Sequence, residues 1–391
     1  MNQAWRSIAA VAVSAAISLT VQAQEGVRLG FIAAMSGPLN AVGAEQKRGM
    51  DLALEHLGNR LGGVPVSVVL GDTKTNPSAT VQDLSRLIEK EHVHFITGLT
   101  ASNEILAAIK PVTDAKLFLI GSNGGPAQLA GEACSPWYFS AAFQNAQITE
   151  GVGGYMSQKG IKKAYFLGLD YEAGYEHVAA AKKGFRGEIV AQTFTPMAQL
   201  DFASDLAKIR ASGADGVFAF YGGGPAIAFM RQWQQAGLLG KVPLFSNFAL
   251  SDPLTFPAQG KAALGAVITG VYLADLQNPE NKRFVEAFRS KFGRDPATYA
   301  AHQYDAIMLL DSAVREVKGK LSDASALRAA LKKADFKSVR GPFRFNSNHM
   351  PIQNTYVSQV DQRADGTLYL KLIGTVAEGA RDEYYTKCPM N

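Results

Sequence analysis

The chain has 391 residues, of which 47% are hydrophobic and 19% are charged, and these proportions are typical of a folded globular protein and exclude a disordered one. The formal net charge is only +5, and no run of Lys and Arg alternates with aromatic residues, so the composition argues against a nucleic-acid-binding groove. This length exceeds what one hydrophobic core usually holds, which predicts two domains.

The amino terminus has the organisation of a secretory signal peptide. Arg6 supplies a positive charge, an apolar run follows from Ile8 to Val21, and Val21-Gln22-Ala23 is a small-x-small cleavage pattern. An uncleaved membrane anchor is the alternative, but the apolar run is shorter than the roughly 20 residues that span a bilayer. We interpret residues 1–23 as a signal peptide and expect a mature periplasmic protein.

Two successive series of strands and helices follow. The first alternates helical stretches with the apolar runs VRLGFIAAM, VPVSVVLGD, HFITGL and LFLIGS. The second begins near Gln147 and repeats this organisation with KKAYFLGL, GEIVAQTF, GVFAFYGG and VPLFSN. Strands and helices that alternate at this spacing indicate βαβ units and parallel sheets. The sequence therefore predicts an α/β protein with two doubly wound, Rossmann-like lobes.

The pattern changes after about Val271. Helical stretches near 279–292 and 297–318 precede GPFRFNSNHMPIQNTYVSQV and TLYLKLIGTV, which alternate like antiparallel strands. A helical block that follows two complete series must pack on a lobe that is already formed. We therefore expect the first lobe to be built from both early and late segments.

Two cysteines, Cys134 and Cys388, lie in the exported part of the chain. In an oxidising compartment an isolated pair is more often bridged than free. We predict a structural disulfide between them that attaches the carboxyl-terminal tail to the first lobe.

Four predicted strand ends carry small or hydroxyl residues, in the loops AAMSGPL, GLTASN, IGSNGGP and FYGGGP. Ligands of open parallel sheets lie beyond the carboxyl ends of the strands, where helix N-termini present backbone N–H groups. Each loop alone is compatible with ordinary structure, since Ser102 suits a helix cap and Gly223 suits a tight turn. Together, at equivalent places in two lobes, they predict one ligand-binding cleft between the lobes.

Signatures of catalysis and of cofactor binding are absent from the sequence. None of the glycine-rich loops matches GxGxxG or GxxxxGK[ST], which argues against a dinucleotide or phosphate. His92 and His94 do not form HExxH, and LIGSNGG around Ser122 is not the GxSxG of a nucleophile elbow. We expect a protein that has no cofactor or bound metal and is not an enzyme.

Six segments together resemble one protein family over nearly the whole mature chain. They are GFIAAMSGPLNAVGAEQKRGMDLALE, GLTAS, LDYEAGYEHVAAAKKGF, FAFYGGGPAIAFMRQWQQAGL, ATYAAHQYDAIMLL and RGPFRFNSNHMPIQNTY. These are similar to segments of the type I periplasmic binding proteins of ABC transporters, the branched-chain amino-acid-binding type. The last segment and the DYxxG segment are most similar to members associated with aromatic carboxylic acids.

The resemblance implies two lobes joined by a three-segment hinge, with crossovers near Phe143, Tyr272 and Phe345. The implied first lobe comprises residues 25–143 and 273–345, and the implied second lobe comprises residues 144–272 and 346–391.

The resemblance also implies the positions of the ligand-binding residues. The ligand carboxylate would be held by Ser102 with Ala101 beside it, and by the next loop at Ser122 and Asn123. Pocket-wall positions of the family correspond to the residues Val42, Tyr171 and Tyr299, and the second-lobe loop adds Gly223. At Val42 the amino-acid binders can carry a larger aromatic residue.

One departure from the family pattern bears on the ligand. In the amino-acid binders an acidic residue after the strand that corresponds to VPLFS faces the ligand ammonium, whereas here that place holds Asn247 and Phe248. A buried ammonium without a counter-charge costs several kcal/mol or more. Unless Asp252 reaches the cleft, the sequence favours a carboxylate with an aromatic or other apolar body.

The expected function is therefore capture of a small carboxylate, most simply an aromatic acid, by a monomer that delivers its closed form to a membrane ABC permease. A branched-chain amino-acid-binding protein and a ligand-sensing partner of a membrane receptor are the alternatives. An amidase-type hydrolase on the same fold is a third possibility, for which the sequence offers no catalytic residues.

Overall fold

The computed structural model describes residues 26–390, so the predicted signal peptide lies outside the described residues. The first series consists of β1 (Val27–Ala33), α1 (Asn40–His56), β2 (Arg60–Leu61), β3 (Val64–Asp72), α2 (Pro77–Ser85), β4 (Phe95–Gly98), α3 (Ser102–Asp114), β5 (Phe118–Gly121), α4 (Ala127–Ala130) and β6 (Tyr138–Ser140). Local sequence explains several helix ends. The side chain of Asn76, for example, accepts hydrogen bonds from the backbone N–H groups of Ser78 and Ala79 and so caps α2.

The strands of this series form the first sheet, in the order β2-β3-β1-β4-β5-β6. Strands β3, β1, β4, β5 and β6 are parallel, and only the two-residue β2 is antiparallel to its neighbour. Because apolar clusters cover both faces of this sheet, its central strands are buried throughout. All of these parallel strands direct their carboxyl ends to one edge, where the loops after β4 and β5 meet.

The second series consists of α5 (Glu150–Gln158), β7 (Lys163–Leu169), α6 (Glu172–Lys183), β8 (Glu188–Thr195), α7 (Ala203–Ala211), β9 (Gly216–Phe220), α8 (Gly223–Gln235), β10 (Leu244–Asn247), α9 (Phe256–Gln259) and β11 (Val267–Gly270). Its strands form a second parallel sheet in the order β8-β7-β9-β10-β11. The predicted α/β fold with two lobes is confirmed.

The late segments are α10 (Pro279–Phe292), α11 (Thr298–Glu316), α12 (Ala324–Lys333), β12 (Arg344–Phe345), β13 (Pro351–Gln362) and β14 (Leu368–Ala380). Helices α10 to α12 pack on the first sheet, where α11 lies against α1. That approach requires Gly49, because a Cβ there would lie 2.1 Å from the carbonyl oxygen of Ala300. Strands β13 and β14 then extend the second sheet in antiparallel fashion beside β11.

A buried arginine, Arg340, joins two of the segments that pass between the lobes. Arg340 donates to Asp305 Oδ2 at 2.8 Å and to the carbonyl oxygens of Ala141 and Ala142 at 2.6 and 2.8 Å. It also donates to Gln353 Oε1 at 2.6 Å. The guanidinium therefore holds the crossover after β6 against the crossover that leads into β13.

The predicted disulfide between Cys134 and Cys388 is confirmed, with the two Cα atoms 5.6 Å apart. Cys134 lies between α4 and β6, so the tail returns to the first lobe, where Tyr384 packs against the apolar cluster that contains Leu129. The bond thus attaches the end of the carboxyl-terminal tail to the lobe that carries Cys134.

Candidate ligand site between the lobes

A cavity of about 40 Å³ lies where the carboxyl ends of the two parallel sheets face each other. The loops after β4 and β5 line it from the first lobe, and the loops after β7, β9 and β10 line it from the second. Rings from the two lobes meet across it, since Phe248 lies 5.3 Å from Tyr299 and 5.5 Å from Phe143 between ring centroids. The lobes are therefore close together around a small, shared space.

One end of the cavity is polar and belongs to the first lobe. Ser102 begins α3, is 1% exposed, and accepts a hydrogen bond at its Oγ from Asn145 Nδ2 at 3.0 Å. Asn123 donates from Nδ2 to the Thr100 carbonyl oxygen at 2.6 Å, while its buried Oδ1 has no hydrogen-bond partner among the described residues. This end presents neutral hydroxyl and amide groups.

Seven of the ten predicted ligand-binding residues line this cavity: Val42, Ser102, Asn123, Tyr171, Asn247, Phe248 and Tyr299. Three of them lie in α1, α3 and α11, Asn247 ends β10, and the other three lie in the loops after β5, β7 and β10, so they are far apart in the chain. Their convergence is a result of the two sheets facing each other at their carboxyl edges.

The structure does not bring Ala101, Ser122 or Gly223 to the cavity. The backbone N–H of Ala101 donates to Glu104 Oε2 at 3.0 Å, so this N–H group is not available to a ligand. Ser122 Oγ turns into the first lobe, where it accepts from Gln46 Nε2 at 2.8 Å.

Gly223 lies at the contact between the lobes, and its neighbour Gly222 lines the cavity instead. Gly223 has φ +59°, and a Cβ there would lie 2.8 Å from the carbonyl oxygen of Pro38. The glycine therefore permits close approach of the lobes, not direct contact with a ligand.

The middle of the cavity is aromatic and apolar. Phe143 and Phe220, which the sequence analysis did not single out, join Tyr171, Phe248 and Tyr299 in the wall. The rings of Tyr171 and Phe220 are stacked with centroids 6.3 Å apart. Burial raises the pKa of Tyr171 and of Tyr299 above the ordinary range, so both hydroxyls are neutral.

A second polar group of side chains lies at the second-lobe end. His177 Nδ1 is 2.8 Å from Thr149 Oγ1 and 3.2 Å from Asn247 Nδ2. Burial lowers the pKa of His177 to about 3, and the ring is therefore neutral at physiological pH. Sequence reasoning missed His177 because the residue lies one helical turn into α6. Only the tertiary structure shows which face of α6 lies against the cleft.

Charged side chains are absent from the cavity wall. Of the described residues that line it, none is Asp, Glu, Lys or Arg. Asp252, which the sequence left open as a possible counter-charge, is buried outside the wall and accepts from the backbone N–H of Leu254 at 2.9 Å. The site can bind a carboxylate through neutral donors but has no partner for an ammonium.

Among residues 26–390, no helix is long and apolar enough to cross a membrane. Nor does any group of three or more His, Cys, Asp or Glu side chains there have the arrangement of a metal site.

Two α/β lobes that face each other at the carboxyl ends of their strands, with a small closed cavity between them, define a solute-binding protein of the two-lobe type. A family model described as "Periplasmic binding protein" matches residues 26–367. The chain belongs to this family.

Known proteins with the same organisation cover nearly the whole chain. "Leu/Ile/Val-binding protein homolog 6" of Brucella melitensis is 30% identical over 359 residues, which are 89% of this chain and 91% of that protein. An ABC transporter solute-binding protein of R. palustris, solved in complex with benzoate, has a TM-score of 0.89 and 30% identity over 93% of this chain and 100% of its own. A solute-binding protein from Rhodopseudomonas palustris BisB5, in complex with 3,4-dihydroxybenzoic acid, has a TM-score of 0.86 and 29% identity over 92% of this chain and 99% of its own.

Proposed function

We propose that this protein captures a small aromatic carboxylate in the cavity between its lobes. One observation carries the proposal: neutral hydrogen-bonding groups lie at the ends of the cavity and aromatic rings line its middle, while no charged side chain lines its wall. The structural relatives that bind benzoate and 3,4-dihydroxybenzoate support the same class of ligand.

The ligand carboxylate would lie at the first-lobe end. The Ser102 hydroxyl and the second N–H of Asn123 Nδ2, the one not donated to Thr100, would donate to its oxygens. The ring would contact Phe143, Phe248 and Tyr299. A polar ring substituent would face Asn247 at the opposite end.

Capture would proceed by closure of the lobes over the bound carboxylate, which excludes water from the cleft. The crossovers near Phe143, Tyr272 and Phe345 would form the hinge, and a membrane ABC permease would recognise the closed form. In this function the protein acts as a monomer in the periplasm, after removal of residues 1–23, and without a catalytic step.

A branched-chain amino acid is the second candidate ligand, because the relatives from Brucella are named as homologues of a Leu/Ile/Val-binding protein. The cavity argues against it, since an ammonium group there would be buried without a carboxylate partner. A ligand-sensing role with a membrane receptor would use the same closed form and differs only in the partner.

A thermal-shift screen followed by titration calorimetry tests the ligand class. Benzoate and 4-hydroxybenzoate should raise the melting temperature, because ligands that bind only the native state stabilise it. Leucine and valine should have no effect. A strong shift with leucine or valine and none with the aromatic acids would overturn the proposal.

A further inference from the structure

Two carboxyl groups in the first turns of α6 reach across the cleft to the first lobe. Glu176 Oε1 accepts the backbone N–H of Ala127 at 2.8 Å, and Glu172 Oε1 accepts from Gln128 Nε2 at 2.6 Å. Glu172 and Glu176 belong to the second lobe, whereas Ala127 and Gln128 begin α4 in the first lobe. These hydrogen bonds therefore require closed lobes.

The same pair is connected to the polar end of the cavity through Asn145. One hydrogen of the Asn145 amide is donated to Glu176 Oε2 at 2.9 Å, and the amide also donates to Ser102 Oγ at 3.0 Å. Asn145 is held in place because its Oδ1 accepts the backbone N–H of Gly125 at 2.9 Å. A single amide thus links the contact between the lobes to the proposed carboxylate-binding hydroxyl.

Glu172 and Glu176 lie four residues apart on α6, so their carboxylates repel each other when both are ionised. Burial in the closed cleft, reinforced by Glu172, raises the pKa of Glu176 to about 7.

The other titratable groups that face Glu176 are Tyr171 and Tyr384, neither of which supplies a positive charge. Lys183, on the same helix, is paired with Glu150 and Glu383.

We propose that Glu176 is a positioning residue for ligand capture: closure buries its carboxyl beside Glu172, Glu176 takes up one proton from solvent, and its contact with Asn145 holds that amide against Ser102. In the open form the Glu176 carboxyl is solvated and ionised, so the proton is released when the lobes separate. The neutralised Glu176 also lowers the negative charge beside the bound carboxylate. The inference rests on the proposed function for the identity of the ligand.

Affinity should therefore increase as the pH falls through about 7, because the closed form binds more protons than the open form. With benzoate as the probe, calorimetry at pH 6 and pH 8 should give a Kd that is about threefold to tenfold lower at pH 6 for the wild type. Titrations in buffers of different ionisation enthalpy should report net proton uptake.

Three variants assign this effect to its source. Glu176→Gln should take up fewer protons on binding than the wild type and should lose most of the pH dependence of Kd. Glu172→Gln should reduce both the proton uptake and the pH dependence of Kd. Glu188→Gln, which removes an exposed acid elsewhere in the same lobe, should behave like the wild type. Asp252→Asn measures the contribution of the other buried acid near the lobe contact, and proton uptake that depends on Asp252 alone would overturn the inference.

X-ray scattering of the ligand-free protein keeps the two proposals separable. The closed fraction of the wild type should fall between pH 6 and pH 8, and that of Glu176→Gln should not. If benzoate fails to bind at any pH, the proposed function fails, and the scattering decides the inference alone. If benzoate binds and Glu176→Gln keeps the pH response of the wild type in both measurements, the inference fails while the proposed function stands.

Discussion

The Asn145 side chain donates a hydrogen bond to the Ser102 hydroxyl at 3.0 Å, and this relationship determines the role of the serine. Because Ser102 Oγ is the acceptor in that bond, its own hydrogen is available to a group in the cavity. A carboxylate oxygen, which only accepts, is the natural partner.

Ser102→Ala should weaken benzoate binding about tenfold or more, because a hydrogen bond to a charged group contributes about 1.5–3 kcal/mol. Titration calorimetry measures the change. Ser122→Ala is the matched control: its hydroxyl bonds to Gln46 inside the first lobe, and its affinity should stay within about twofold of wild type. Equal losses in the two variants would contradict the assignment.

Phe248→Leu should lower the affinity for benzoate more than the affinity for cyclohexanecarboxylate. The substitution keeps an apolar side chain in the cavity wall but removes the aromatic ring that would contact the ring of the ligand. Such aromatic contacts are worth about 0.5–1.5 kcal/mol beyond the buried area. Competition measurements with the two acids provide the comparison, and an equal loss for both would argue against an aromatic wall.

Asp252→Asn should make stability less sensitive to pH. Burial, with a smaller effect of Glu45, raises the pKa of Asp252 from its ordinary value of 3.8 to about 7. A carboxyl with a raised folded-state pKa stabilises the native state fully below the unfolded-state value, and this contribution is lost as the pH rises through 7. Between pH 5 and pH 8 the wild type should lose about 2 kcal/mol of unfolding free energy that the variant does not lose. Urea unfolding at the two pH values measures the difference.

Arg340→Met should destabilise the protein by about 3–5 kcal/mol, because Asp305 would remain buried without its positive partner. Urea unfolding measures the loss. The double variant Arg340→Met/Asp305→Asn should recover part of it, since no charge is then left unpaired. A double variant no more stable than the single one would show that the contacts of Arg340 with Ala141 and Ala142 matter more than its charge.

Several features followed from sequence because they depend on neighbours along the chain. The alternation of strands and helices predicted two α/β lobes, since burial on both faces of a parallel sheet demands continuous apolar strands. Asn247 and Phe248, where the family's amino-acid binders carry an acid, already indicated a site without a partner for an ammonium. The isolated pair of Cys134 and Cys388 predicted a disulfide.

Other features depend on side-chain direction and on contacts between distant segments, and no local pattern contains them. Ser122 and Asn123 are adjacent in one loop, yet only Asn123 reaches the cavity, because Gln46 draws the Ser122 hydroxyl inward. Asn145 and His177 can be recognised as site residues only from the tertiary structure. It packs two elements against α3, namely α6 and the crossover that follows β6. The sequence by itself determined the two lobes and the chemical character of the cleft. Tertiary packing decided which hydrogen-bond donors face the cleft, because their orientation depends on hydrogen bonds between residues far apart in the chain.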